Sequence, residues 1–141
     1  MPTRRQLIMC LAWTGAFAGA RPAVAQSPVV VHSSDAETRR FMALAFAMRD
    51  RAVREGDQPF GAVVVKDGRV VGEGPSRVRT HLDPTAHAEI EAIRDAARTL
   101  GTTDLSGTIL YASSRPCPMC ATAAYWANIA RVHHGAESRH V

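Results

Sequence analysis

Apolar residues in this chain follow two kinds of spacing, one typical of helices and one typical of strands. Between positions 35 and 55 they recur every three or four residues, which gives a helix one apolar face. These positions are Phe41, Leu44, Ala45, Met48 and Ala52. Ser34 and Glu37 begin this stretch with the spacing of a capping box, and Gly56 follows it. The pattern predicts a first helix over residues 35–55.

Two short apolar runs come next, in the stretch PFGAVVVKDGRVVGEG. Asp67 and Gly68 separate the runs, and Asp-Gly between two such runs is a strong signal for a β-hairpin. We therefore expect strands at residues 61–66 and 69–74, paired through a tight turn.

A second helix is predicted after the hairpin. Asp83-Pro84 fits a helix start, and Gly101 fits a helix end. An apolar stripe lies between these positions, formed by Ile90, Ile93, Ala97 and Leu100.

The rest of the chain predicts a strand, a helix and a strand. The strands are expected at residues 107–113 and in the stretch ARVHHGA, and the helix from Pro116 to about Asn128. A strand, a helix and a strand in this order form a parallel crossover, which is right-handed in nearly all known folds. The expected fold class is α/β, with one mixed sheet flanked by helices.

The first 26 residues have the pattern of an export signal. Arg4 and Arg5 are followed by an apolar stretch over residues 7–20 and by the small residues Ala23-Val24-Ala25. The apolar stretch is shorter than the roughly 20 residues that a membrane span needs. The segment TRRQLI resembles a twin-arginine signal, and a general secretory signal is the alternative. We expect a periplasmic or secreted domain over residues 27–141, with no membrane association once the signal is removed.

Charge and cysteine content change once this segment is set aside. Three of the 17 basic residues lie in it, which leaves 14 basic against 13 acidic residues, a net charge of +1. Nucleic-acid binding usually needs a clustered basic surface, so we expect no nucleic-acid partner. The two cysteines that remain, Cys117 and Cys120, are too close in sequence for a disulfide scaffold.

Cys117 and Cys120 lie at a predicted helix start, and the sequence His87-Ala88-Glu89 lies near another. The helix end is expected to lower the pKa of both thiols and so to favour the thiolates that zinc binds. We expect the two helix starts to face each other across the carboxyl ends of neighbouring strands. One imidazole and two thiolates would leave the fourth position open, as in catalytic zinc sites. A structural site needs a fourth ligand, and the other candidates, His81, His133, His134 and His140, lack ligand spacing.

The pairing of H-x-E with P-C-x-x-C resembles the signature of the cytidine deaminase-like zinc deaminases. The resemblance covers about residues 35–137, and the stretches DPTAHAEIEAIR, ILYAS, PCPMC and AYWAN are most similar to bacterial guanine deaminases, then to tRNA adenosine deaminases. It implies a three-layer cytidine deaminase-like sandwich. Together with the uncovered fourth strand, it also leads us to expect a homodimer. Members of the family continue beyond the fourth strand, so a C-terminal strand and C-terminal helices are expected to be missing here.

The resemblance also implies a reaction, the hydrolytic deamination of a small nucleobase or nucleoside, with guanine converted to xanthine as first choice. Zinc on His87, Cys117 and Cys120 would activate a water, and Glu89 would move its protons. Substrate contacts are implied for Phe60 and Pro59, for the backbone at Ala86 and His87, and for Ser76, which stands where the family has a base-binding asparagine.

Two alternatives stay open. One is a truncated zinc-binding domain without catalysis. The other is a periplasmic thiol oxidoreductase that uses the Cys-x-x-Cys pair, which would leave His87 and Glu89 without a role.

Overall fold

The computed structural model describes residues 34–135, so the predicted export signal and His140 lie outside the described residues. Three helices and four strands follow one another along this part of the chain. They are α1 (Asp35–Arg54), β1 (Gly61–Lys66), β2 (Arg69–Pro75), α2 (Ala88–Leu100), β3 (Thr108–Ala112), α3 (Pro118–Trp126) and β4 (Arg131–His134). Within residues 34–135, no helix combines the length and the apolar character needed to cross a membrane.

The strands form one mixed sheet in the order β2-β1-β3-β4. β1 pairs antiparallel with both β2 and β3, while β3 pairs parallel with β4. The predicted α/β class and the parallel pairing across α3 are therefore confirmed. β1 occupies a central position, which explains why five of its six residues are buried.

Helices cover both faces of the sheet. Alternate residues of a strand point to opposite faces, and β1 places Val63 and Val65 in a cluster with Phe41 of α1. Ala62 and Val64 belong to a second cluster that contains residues of α2 and α3, namely Ala88, Ala92, Ala96 and Ala124. The result is a three-layer sandwich, as predicted, with α1 on one side and α2 and α3 on the other.

The capping box predicted for α1 is formed. The Ser34 side chain accepts a hydrogen bond of 3.2 Å from the backbone of Glu37, and the Ser34 backbone donates one of 3.1 Å to the Glu37 carboxylate. These reciprocal bonds satisfy backbone donors that a helix start leaves without partners.

The second helix begins later than Asp83-Pro84, which corrects the prediction. The Asp83 side chain accepts bonds of 2.7 Å and 2.6 Å from the backbone and the hydroxyl of Thr85, which closes a turn in place of a helical turn. Leu82 adopts a left-handed conformation with φ of 51°. The helix therefore starts at Ala88, and His87 is its N-cap residue.

The third helix is also shorter than predicted at both ends. It begins at Pro118, with Cys117 as its N-cap residue, and ends at Trp126. Asn128 has φ of 56°, a left-handed conformation that a continuing helix does not allow. Both corrections place the residues with candidate chemistry at the very tips of α2 and α3.

Candidate metal centre and active site

His87 enters the site from the tip of α2. Its backbone is extended, with φ of −65° and ψ of 154°, and its side chain makes no capping hydrogen bond to the helix. The imidazole is therefore free of the helix and can bind a metal ion beyond the helix end.

Cys117 and Cys120 enter from the tip of α3. Cys117 is the N-cap residue, and Pro118 occupies the first turn, where its missing N–H costs no hydrogen bond. Cys120 lies within the first turn and is fully buried. The two sulfurs are 3.6 Å apart.

The three candidate ligands converge on one point. The His87 Nδ1 atom lies 3.7 Å from the Cys117 sulfur and 3.6 Å from the Cys120 sulfur. Zinc bonds of about 2.3 Å to sulfur and about 2.0 Å to nitrogen, set at tetrahedral angles, place ligand atoms about 3.5 to 3.8 Å apart. The donor set and its spacing therefore fit a tetrahedral zinc ion, with one position left for another group.

The positions of the two helix tips correct one part of the prediction. They follow β2 and β3, and these strands are not neighbours, because β1 lies between them. β2 and β3 both run antiparallel to β1. The carboxyl ends of β2 and β3 therefore lie on the same side of the sheet as Gly61, where β1 begins, and this side is called the edge that carries the site. The segment that precedes Gly61 therefore belongs to the surroundings of the site.

Glu89 lies beside the ligands and is not one of them. The residue is only 6% exposed, and one of its carboxylate oxygens is 3.5 Å from the Cys120 sulfur. Within residues 34–135, the group that could hold a metal contains His87, Cys117 and Cys120 and does not include Glu89. A carboxylate next to a metal and outside its ligand set is a suitable carrier for protons.

The protonation of Cys120 differs from the expectation for a helix end. Burial raises the pKa of the Cys120 thiol, and the nearby Glu89 carboxylate and the Cys117 sulfur raise it further. The partial charge of the helix end is too small to outweigh these effects. A bound divalent cation reverses the balance, because a coordinating thiol is deprotonated outright.

The other histidines do not join the centre. His133 on β4 stacks on Tyr111, with ring centroids 5.1 Å apart, and His134 hydrogen-bonds the backbone oxygen of Gly135. Within residues 34–135, one group of metal-binding side chains is found, and it contains none of these residues nor His81. The interpretation of His81, His133 and His134 as ordinary histidines is consistent with this arrangement.

The predicted substrate contacts lie at the same edge of the sheet. Phe60 is partly buried against the core cluster of α2 and α3, directly before β1. The Ala86 carbonyl accepts a bond of 2.9 Å from the Arg77 backbone, and the Ala86 N–H donates one of 3.1 Å to Asp83. Ser76 is 1% exposed, and its hydroxyl donates a bond of 2.8 Å to Asp57.

Asp57 is a residue of this region that the sequence did not point to. It is buried and accepts hydrogen bonds from both sides of the loop that follows β2. A single aspartate in a loop has no spacing pattern, so only its position before the apolar run PFGAVVV could have drawn attention to it.

The chain is similar to known zinc-binding proteins. The family model described as the cytidine and deoxycytidylate deaminase zinc-binding region matches residues 35–136. A guanine deaminase from Bacillus subtilis (strain 168) is 54% identical over 79 residues, which are 56% of this chain and 51% of that protein. A tRNA-specific adenosine deaminase from Agrobacterium fabrum is 44% identical over 102 residues, 72% of this chain and 67% of that protein. The chain thus spans about half to two thirds of the length of these relatives.

The chain also resembles a solved structure of such a relative. The X-ray structure of a guanine deaminase from Bacillus subtilis superposes with a TM-score of 0.68 and 47% identity, covering 70% of this chain and 64% of that chain. The zinc-binding region, the fold and the donor set of His87, Cys117 and Cys120 lead to the same conclusion. This chain belongs to the family of cytidine and deoxycytidylate deaminase zinc-binding domains.

Proposed function

We propose that this protein is a zinc-dependent hydrolase that removes an amino group from a nucleobase, with guanine as the preferred substrate. One observation carries the proposal. Three ligand atoms lie 3.6 to 3.7 Å from one another, and the buried Glu89 carboxylate approaches within 3.5 Å of one of them. This arrangement combines an open metal position with a proton carrier.

The proposed chemistry is an attack by water on the ring carbon that bears the amino group. His87, Cys117 and Cys120 would hold the zinc ion, which would supply a water activated near neutral pH. Glu89 accepts a proton from this water and donates it to a ring nitrogen of the base. Glu89 would then take the remaining proton from the hydroxyl group added to the ring carbon and deliver it to the departing amine, so that the ring keeps a carbonyl. Guanine and water thereby give xanthine and ammonia.

The pocket is proposed to be formed by Phe60, with Pro59 before it, and by the backbone at Ala86 and His87. Phe60 supplies an aromatic surface beside the core cluster, which suits a planar base. Support for guanine comes from the 54% identity to the Bacillus subtilis guanine deaminase.

Ammonia release from guanine, adenine, cytosine and their nucleosides tests the proposal, together with detection of xanthine. The matched variant is Glu89→Gln, which keeps the size of the side chain and removes its ability to carry protons. We expect zinc content to stay at one ion per chain and turnover to fall about 10²- to 10⁴-fold. Inactivity of the zinc-loaded wild-type protein on every base would favour a zinc-binding domain without catalysis.

Deamination of adenosine in tRNA is the second candidate. It is supported by 44% identity to the Agrobacterium fabrum tRNA-specific adenosine deaminase over 72% of this chain. The net charge of +1 after residue 26 argues against it, since RNA phosphates are usually met by clustered basic residues. Turnover of a tRNA anticodon stem-loop without turnover of free bases would reverse the order of the two candidates.

A thiol oxidoreductase is the least supported function. It gives no role to the His87 ring, which lies against both sulfurs, nor to Glu89 beside Cys120. A reversible Cys117–Cys120 disulfide in protein without bound zinc, with a defined reduction potential, would be needed to support it.

Export and assembly belong to the same proposal. We propose that residues 1–26 direct the protein out of the cytoplasm. Cell fractionation of the wild-type protein and of a variant carrying both Arg4→Lys and Arg5→Lys tests this, and a cytoplasmic variant with an exported wild type is expected.

We also propose a homodimer. Tyr125 and Trp126 are about three-quarters exposed on α3, in an edge-to-face contact, and β4 is an edge strand. Exposed aromatic groups of this kind are enriched in interfaces. Light scattering after size exclusion should give twice the chain mass, and a monomer at micromolar concentration would contradict the dimer.

A further inference from the structure

Asp57 is a buried carboxylate between α1 and β1 that the proposed chemistry does not use. Only 6% of the residue is exposed. Its two oxygens accept five hydrogen bonds of 2.8 to 3.1 Å. The donors are the Ser76 hydroxyl, the hydroxyl and backbone of Thr80, and the backbone N–H groups of Gln58 and Arg79.

The hydrogen bonds keep this carboxylate charged. Burial by itself would raise the pKa of Asp57, but the bonds from Thr80, Gln58 and Ser76 outweigh burial and hold the pKa far below its usual range. A charged carboxylate offers only acceptor positions on both oxygens, so it can meet donors from several directions. No neutral side chain of this size can replace all five bonds.

These bonds join two segments at the edge of the sheet that carries the metal centre. Residues 57–60 precede β1, and residues 76–80 follow β2. A backbone bond of 3.0 Å from Ser76 to Phe60 reinforces the join. Asp57 therefore holds the segment that contains Phe60 against the loop that leads towards α2.

The connection continues to the metal ligand. The Arg77 backbone donates a bond of 2.9 Å to the carbonyl of Ala86, and Ala86 directly precedes His87. Arg77 is held in turn by an ion pair with Glu55, at the end of α1. A chain of short contacts thus runs from Asp57 through residues 76–80 to the backbone that carries His87.

We propose that Asp57 is a positioning residue of the metal centre, which fastens residues 76–80 and, through Arg77 and Ala86, fixes the backbone of His87. The idea deepens the proposed function and rests on the zinc centre that the function requires. Ser76 acts through Asp57 in this account, because its single hydroxyl proton is committed to the carboxylate and the residue is buried.

Four variants of the full chain test the proposal: Asp57→Ala, Asp57→Asn, Ser76→Ala and the control Asp104→Ala. Asp104 also fastens a loop, by accepting bonds from the Ser106 backbone at 3.1 Å and from Asn128 at 3.2 Å. It precedes the amino end of β3, at the opposite edge of the sheet from the metal centre. The control therefore removes an aspartate that fastens a loop far from the metal centre, although Asp104 is exposed and Asp57 is buried.

Three quantities are measured on zinc-loaded protein: the rate of zinc loss to an excess of chelator, amide hydrogen exchange over residues 77–87, and kcat/KM for guanine. Removal of groups that support metal ligands typically changes affinity or activity 10- to 100-fold. For Asp57→Ala we expect zinc loss about 10-fold faster, quicker exchange over residues 77–87, and a loss of kcat/KM of about 10-fold. Asp104→Ala should stay within about twofold of wild type in all three quantities.

Asp57→Asn and Ser76→Ala keep the test decisive if Asp57→Ala does not fold. Each variant removes part of the hydrogen bonding between Asp57 and residues 76–80. Its zinc-loss rate, amide exchange and kcat/KM should therefore lie between those of the wild type and those of Asp57→Ala. A zinc-loss rate and an exchange rate in these variants equal to those of Asp104→Ala would overturn the proposal. If wild-type protein deaminates no base while zinc loss separates as expected, the proposed function fails and the positioning role of Asp57 stands.

Discussion

Gly74 of β2 lies directly against the backbone carbonyl of Ala88, the residue between His87 and Glu89. A Cβ atom at Gly74 would stand 2.0 Å from that oxygen and 2.5 Å from the backbone nitrogen of Ala92. Both neighbours are backbone atoms, so neither can rotate away. The absence of a side chain at Gly74 therefore sets how deeply the tip of α2 enters the site.

Gly74→Ala is predicted to displace the start of α2 and so to separate His87 from the two sulfurs. Overpacking of this kind costs about 1 to 3 kcal/mol in free energy of unfolding. We expect zinc to be lost faster to a chelator and turnover to fall with it. Urea unfolding of the zinc-loaded protein measures the change in free energy of unfolding, and chelator competition measures the rate of zinc loss.

Gly72→Ala is the matched control for that substitution. A Cβ at Gly72 would stand 2.3 Å from the carbonyl of Ala92, one turn further from the metal centre. It should lower the free energy of unfolding by a similar amount and disturb zinc retention less. Equal zinc loss in both variants would show that the contact at Gly74 has no special relation to the site.

Cys120→Ser is predicted to weaken metal binding and stability together. Cys120 is fully buried, and zinc binding to the folded state contributes to folding free energy. The variant should contain substoichiometric zinc, and addition of a chelator should lower its melting temperature less than that of the wild type. A wild-type melting temperature that is unchanged by zinc removal would contradict a stabilising metal.

His133 is predicted to make stability depend on pH between neutral and mildly acidic conditions. Burial lowers the pKa of His133, and the nearby charges of Arg131 and His134 lower it further. The folded state therefore binds its proton less readily than the unfolded state, whose histidine pKa is about 6.5. The free energy of unfolding is therefore highest above about pH 6.5, and it falls as the pH drops through the lower pKa that His133 has in the folded state.

His133→Gln should thus lose less free energy of unfolding than the wild type between about pH 7 and pH 5. His81→Gln serves as the control, since His81 lies in the loop before α2, away from the Tyr111 ring on which His133 stacks. Denaturant unfolding at several pH values gives the slopes. Parallel slopes for wild type and His133→Gln would rule out this origin of the pH dependence.

Much of the fold was predictable because its signals are local. The capping box at Ser34, the Asp67-Gly68 turn and the helical spacing in α1 each depend on a few adjacent residues. The ligand set was predictable for a related reason, since His87 and the cysteine pair each mark a helix tip.

What the sequence did not provide depends on contacts between distant segments. β1 lies between β2 and β3 in the sheet, and the spacing of apolar residues along the chain does not determine this strand order. The turn at Asp83 competes with a helix start through side-chain bonds that propensity alone does not weigh. The hydrogen bond between Asp57 and Ser76 joins residues 19 positions apart, and burial of Cys120 depends on the packing of α3.

Zinc K-edge X-ray absorption on the purified protein, with metal analysis, shows directly whether His87, Cys117 and Cys120 hold a zinc ion. We expect one zinc per chain, bound by two sulfurs at about 2.3 Å and by nitrogen or oxygen ligands at about 2.0 to 2.2 Å. Four sulfur ligands, or a metal-free protein with Cys117 and Cys120 joined in a disulfide, would contradict it.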